Sequence, residues 1–178
     1  MPESTAGNLL VATPNVRGVP FERSVIVVLE HDDAGAIGIV LNYPTDLPVT
    51  DHLPEISSHV SEPKVVFLGG PVQPNAAIAL GRSPSGQFMT PSMFGDVGVV
   101  DVTNLPEDVG HLRIYAGYAG WSPGQLEDEL AEGSWWVMPP RPGVLFASAT
   151  DALWKDAVAN GPGQTRLYAT YPDDPANN

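Results

Sequence analysis

Ser122 lies in Gly120-Trp121-Ser122-Pro123-Gly124, the G-x-S-x-G spacing of a hydrolase nucleophile elbow. An elbow builds its oxyanion hole partly from the backbone N–H of the residue after the serine. Here that residue is Pro123, which has no N–H. The hydrolase order also places the catalytic histidine after the serine. His31, His52, His59 and His111 all precede Ser122, so the serine reads as a helix cap. Metal chemistry has two candidate sites. His31-Asp32-Asp33 are adjacent ligand types that read better as a solvated hairpin tip. His52, Glu55 and His59 have helical spacing, but on a short segment interrupted by Pro54. Gly69-Gly70-Pro71 follows an apolar run and could expose backbone N–H groups to an anion. It lacks G-x-G-x-x-G and a Walker lysine, and reads better as a tight turn joining two strands. Arg23 stands at the lip of an apolar strand, as a structural ion-pair partner or an anion clamp.

Composition narrows the remaining choices. Among 178 residues, 8 Lys and Arg face 21 Asp and Glu, a formal charge of −13. Nucleic-acid binding draws on cations meeting phosphates, and no basic stripe is present. Cysteine is absent, which removes disulfides, thiolate nucleophiles, Fe–S clusters and cysteine-type zinc sites. Met1-Pro2-Glu3-Ser4-Thr5 does not read as a signal peptide. The longest strictly apolar runs, such as 25–29, fall far short of the ~18 residues that span a bilayer. The expected compartment is the cytoplasm, with no membrane partner.

Short β-branched segments bounded by turn residues supply the frame. Strands are expected at 9–13, 24–30, 36–42, 64–68, 76–80, 97–102, 112–116 and 134–138, the second and third forming a hairpin across 32–35. Continuous apolar runs at 24–30 and 36–42 fit strands buried on both faces. Helices are expected at 51–60, 123–132 and 151–160. Ser122 and Thr150 would cap the last two, and Leu153, Trp154, Ala157 and Val158 would face inward. Strands dominate and helices come late and singly, which is α+β. One domain over 1–170 with a frayed tail at 171–178 is expected. Tyr118 and Trp121 sit among small residues in Gly117-Tyr118-Ala119-Gly120-Trp121. That composition permits close backbone approach and either core packing or an aromatic groove wall.

The ordered blocks carry a resemblance. Gly7-Asn8-Leu9-Leu10-Val11-Ala12-Thr13-Pro14, Phe21-Glu22-Arg23-Ser24-Val25, Glu30-His31 and 35–42 come first. Gly69-Gly70-Pro71-Val72 follows, then 117–127 with Glu129-Leu130 and Trp135, then Leu145-Phe146 and Trp154. Together they resemble the YqgE/AlgH family of bacterial proteins, over roughly 7–160. The resemblance implies a small cytosolic α+β protein with a barrel-like, split, mostly antiparallel β-sheet and a few peripheral helices. It implies no catalytic residue set, since members are mostly uncharacterised and some are labelled transcriptional regulators. Val19-Pro20 and Asn42-Tyr43-Pro44 depart from the family pattern, which often has Asp-Pro and Asn-Arg-Pro there. Loss of that Arg weakens any phosphate or nucleic-acid role for the loop.

The reading that follows is a non-enzymatic binding or regulatory protein, acting through a small ligand or a protein partner, with any effect on transcription indirect. Arg23, His31, Asn42, Gly69, Gly70, Tyr118, Trp121 and Gln125 are the expected ligand-binding residues. The first three offer charge and hydrogen bonds, the glycines close approach, the aromatics apolar walls. No cofactor and no metal is expected, direct nucleic-acid contact is not expected, and the Trp-rich surface leaves oligomerisation open. The alternative is an enzyme using Glu30, His31 or Glu129 as general acid or base.

Overall fold

Val25, Ile26, Val27 and Val28 are all fully buried. Strand alternation explains how. Val25 and Val27 enter one apolar cluster, Ile26 and Val28 another, on opposite faces of the sheet. In this computed structural model, which describes residues 3–172 except the side chain of Pro142, they open β2 (Val25–Asp32). β3 (Gly35–Val40) pairs with it antiparallel, and Asp32 Oδ1 accepts the Ala34 N–H at 2.8 Å in the turn. A bulge between Val28 and Glu30 interrupts the ladder. β1 (Leu9–Ala12) lies on the other edge of β2, and β9 (Trp135–Met138) lies beyond β1.

A second set of strands comprises β4 (Pro44–Pro48), β5 (Val65–Leu68), β6 (Val72–Arg82) and β7 (Val97–Val100). β8 (His111–Trp121) joins the two sets. It pairs antiparallel with β6 along most of its length and parallel with β5 at Tyr115 and Ala116. Its last three residues pair with β3. The segment 117–121 is therefore strand, not loop. Glycine makes that continuation feasible. Gly117 has φ +72°, and a Cβ there would lie 2.5 Å from the Gly70 carbonyl oxygen.

The sheet is mostly antiparallel, as expected, but it is not barrel-like. A barrel closes when its end strands hydrogen-bond to each other. Among the described residues β9 pairs only with β1, β7 only with β6 and β4 only with β5. β8 forks the sheet between β3, β5 and β6, so the free edges diverge. β4 itself was not anticipated. It is nearly all exposed and contains two prolines, so it carries no apolar alternation to read.

The helix expected at 51–60 is broken. α1 (Val49–His52) ends at Leu53, whose φ of −136° is not helical, and Pro54–His59 continues as a 3-10 turn. His52, Glu55 and His59 thus lose their shared α-helical side. Among the described residues no three His, Cys, Asp or Glu are grouped to hold a metal. α2 (Gln125–Ala131) forms where expected, but starts later: its cap is Gly124 with φ +79°, and no side chain caps it. α3 (Pro142–Leu145) and a 3-10 segment at Gly163–Thr170 were not foreseen. α4 (Leu153–Ala159) follows a 3-10 turn at Thr150–Ala152, and Thr150 gives it no side-chain cap. Leu153, Trp154, Ala157 and Val158 are all buried, as their spacing predicts. Of the expected frayed tail, 173–178 lie outside the described residues. Tyr171 and Pro172 are tied down, their carbonyls accepting from the Arg23 guanidinium.

Candidate functional site

α2 presents two acidic side chains that organise one cluster of expected site residues. Trp121 Nε1 and Trp135 Nε1 donate to the same oxygen, Glu129 Oε2, at 2.9 and 2.8 Å. Gln125 Nε2 donates to Glu129 Oε1 at 2.9 Å. Gln125 Oε1 accepts from the Ser122 N–H and hydroxyl at 3.0 and 3.1 Å. Ser122 is thus held by a glutamine at the foot of α2, and Glu129 accepts from three donors. His31 is fixed by the same helix. Thr5 N–H donates to its Nδ1 at 3.1 Å, which makes Nδ1 the acceptor and leaves Nε2 to donate to Glu127 Oε1 at 3.0 Å. Only 3% of the His31 side chain is exposed. Glu127 is held below its ordinary carboxylate value, first by a backbone hydrogen bond and then by the bond to His31.

Arg23 and Asn42 form a second cluster. Asn42 Oδ1 accepts the Val25 N–H and its Nδ2 donates to the Arg23 carbonyl, both at 2.9 Å. The Arg23 guanidinium lies 4.5 Å over the Trp154 ring. Tyr43 donates its hydroxyl to the Glu22 carbonyl, and partial burial, then Glu22, raise its pKa. Gly69 and Gly70 form a third cluster with β8. A Cβ on Gly70 would sit 2.1 Å from the Tyr118 carbonyl carbon, and one on Gly69 2.3 Å from the Gly117 oxygen. These glycines serve close strand contact.

Arg23 and Asn42 line a depression of about 170 Å³, and Tyr118 lines a larger groove. About 600 Å³ in volume, the groove opens where β8 passes from β6 to β3. Leu29, Ile37, Ile78, Met93 and Val99 supply apolar walls, and Glu30, Thr90, Ser92 and Tyr118 supply polar groups. Its roof is a strap between β6 and β7. Asp108 pins the strap's base by accepting from the Ser83 hydroxyl at 2.6 Å and the Ser85 N–H at 2.6 Å. These bonds, Ser83 first, lower the Asp108 pKa. Met93 N–H donates to Val97 O, and the Met93 carbonyl abuts Gly7. The groove walls come from β2, β3, β6, β7, β8, the strap and the residues before β1. No single segment announces them. The one local hint is Leu29, displaced by the β2 bulge.

Arg113 is the other residue that sequence reading passed over, although a lone cation inside the apolar run 112–116 was a usable signal. It is fully buried, with no carboxylate partner among the described residues. Its guanidinium donates to the carbonyls of Glu62, Leu145 and Ala147 at 2.7, 3.1 and 3.1 Å, and lies 4.6 Å over Phe67. Burial lowers its pKa and pushes that of neighbouring Tyr115 far up.

An open-edged α+β protein, with a forked sheet and a groove at the fork, is the class this geometry defines. The AlgH-like family model matches residues 9–166, and the chain belongs to that family. It is 43% identical to a UPF0301 protein of Streptomyces coelicolor, over 98% of this chain and 96% of the relative. It is 35% identical to one of Corynebacterium efficiens, over 99% and 92%. A crystal structure of a Corynebacterium diphtheriae protein superposes with a TM-score of 0.87 at 29% identity, covering 95% of this chain and 93% of that one. The solution structure of the AlgH protein from Pseudomonas aeruginosa superposes with a TM-score of 0.66 at 27% identity, covering 98% of each.

Proposed function

We propose that the protein is a non-enzymatic binding protein that takes a small, largely apolar molecule in the groove beneath the strap. The groove itself carries the reading. Its volume falls within the ~300–1,000 Å³ of ordinary ligand sites, and apolar walls with a few polar groups are how such sites are built. The acid–base alternative draws less support. Of its candidates only Glu30 lines the groove, while Glu129 and His31 are engaged by Trp121, Trp135, Gln125, Thr5 and Glu127. A regulatory output would run through the ligand-bound state and a protein partner, because −13 net charge opposes direct DNA contact.

Titration with Nile red, a neutral apolar fluorophore, tests the reading. Saturable emission enhancement is expected for the parent protein. Ile78→Trp, which fills the groove from its half-buried wall, should abolish it while leaving thermal unfolding near the parent. Equal enhancement in both proteins, or none in the parent, would defeat the proposal.

A further inference from the structure

Cations are scarce in this chain, and four of the eight have a described role. Arg17 pairs with Glu22 at 3.3 Å and Arg82 with Asp96 at 2.7 Å. Arg23 covers Trp154, and Arg113 is held by carbonyls. Two of the eight converge elsewhere. Arg141 and Arg166 line a depression of about 230 Å³ between the end of β9 and the end of α4. It shares no lining residue with the groove under the strap.

The wall of this depression contains no Asp or Glu, in a chain with twenty-one of them. Arg166 Nε donates to the Gly161 carbonyl at 3.2 Å, which uses one of its five N–H donors. The Arg141 guanidinium has no hydrogen-bond or ion-pair partner among the described residues. Two like charges lining one partly enclosed depression repel each other. An anion between them offsets that repulsion, since the guanidinium fork fits a carboxylate with two parallel hydrogen bonds. The floor is apolar: Leu9, Met138 and Ala157 are buried and contribute no polar side-chain donor. The volume is below the usual range for drug-sized ligands, so the occupant is small.

We propose that this depression binds a small aliphatic carboxylate, its head bridged by Arg141 and Arg166 and its short apolar body against Leu9, Met138 and Ala157. The inference stands independently of the groove. The apolar floor favours a carboxylate with an alkyl body over a bare inorganic anion.

Isovalerate is the probe, with isovaleramide and inorganic phosphate as comparators, followed by amide chemical shifts of the full chain. Isovalerate should give saturable shifts concentrated at 138–141 and 157–166. The isosteric, uncharged isovaleramide should bind about tenfold more weakly or worse. Arg141→Gln and Arg166→Gln should each weaken isovalerate binding to a similar degree, with an unchanged backbone spectrum elsewhere. No saturable shift with isovalerate, equal affinity for the amide, or unchanged affinity in both variants overturns the proposal. Phosphate binding as tightly as isovalerate overturns the assigned ligand class. The acid–amide comparison uses the parent protein, so it decides the matter even if a variant fails to fold.

Discussion

At the scale of single residues, Glu129 shows how a carboxylate can resemble catalytic equipment and serve packing. Two tryptophans 6.3 Å apart at 81° each need a partner for an indole N–H, and one carboxylate oxygen supplies both. Glu129→Ala removes that acceptor and leaves two indole donors unpaired. Hydrogen bonds to charged groups contribute roughly 1.5–3 kcal/mol each, so a loss of about 3 kcal/mol is expected by urea unfolding. Glu129→Gln keeps an acceptor and should lose about half as much; a loss below ~1 kcal/mol in the alanine variant would remove Glu129 from this role. Glu127 makes a pH prediction. Its folded pKa lies below the ordinary 4.5. The stabilisation from its bonds is therefore fully present above about 4.5 and is lost as pH falls through the lower folded value. Carbon-13 titration of the Glu127 carboxyl should give a midpoint below 4.5, and a midpoint at or above it would contradict the assignment. The expected ligand-binding set, at this scale, divides among the α2 cluster, the Arg23–Asn42 cluster, the glycine junction and the groove. It remains a proposal for binding, and cavities stand beside Tyr118 and beside Arg23 and Asn42.

At the scale of elements, the glycine blocks are what lets β8 serve both halves of the sheet. Gly69, Gly70 and Gly117 pack backbone against backbone, and any Cβ on them must displace main chain. Gly70→Ala, 2.1 Å from the Tyr118 carbonyl carbon, should cost more than about 3 kcal/mol or prevent folding. Gly124→Ala is the internal control. Its φ is +79°, but nothing lies within 4 Å of the added methyl, so about 1 kcal/mol is expected. Comparable losses at the two sites by thermal and urea unfolding would show that conformation, not contact, governs the junction. Helix signals fared differently along the chain. α4 was legible because a buried face repeats at three and four residues. At 51–60 the proline signal is ambiguous, because Pro54 permits either a first helical turn or a restart, and the chain restarts at Leu53.

At the scale of the whole molecule, charge and edges decide how it meets partners. Eight cations stand against twenty-one acids, two of the cations lining one small pocket, and that balance opposes the cation–phosphate contacts that DNA binding draws on. Fluorescence anisotropy with duplex DNA at ~50 mM salt should show no binding into the micromolar range; salt-dependent binding there would reverse this view of the charge. No described helix is long and apolar enough to cross a membrane. The open edges at β4, β7 and β9 follow from the fork at β8, and they are why the sheet does not close.

The sequence alone determined the α+β class, the doubly buried β2–β3 hairpin, the inward face of α4 and the family, because each is written in local periodicity or in contiguous motif blocks. It also excluded the serine elbow, because one proline removes one N–H. Tertiary structure alone decided that the sheet forks instead of closing, since closure depends on whether distant strand edges meet. It likewise decided which motif residues pack and which face a cavity. The groove draws its walls from five strands and a strap, and the Arg141–Arg166 pocket joins residues twenty-five apart in the chain. Cavities are properties of the space between elements, and no spacing along one segment encodes that space.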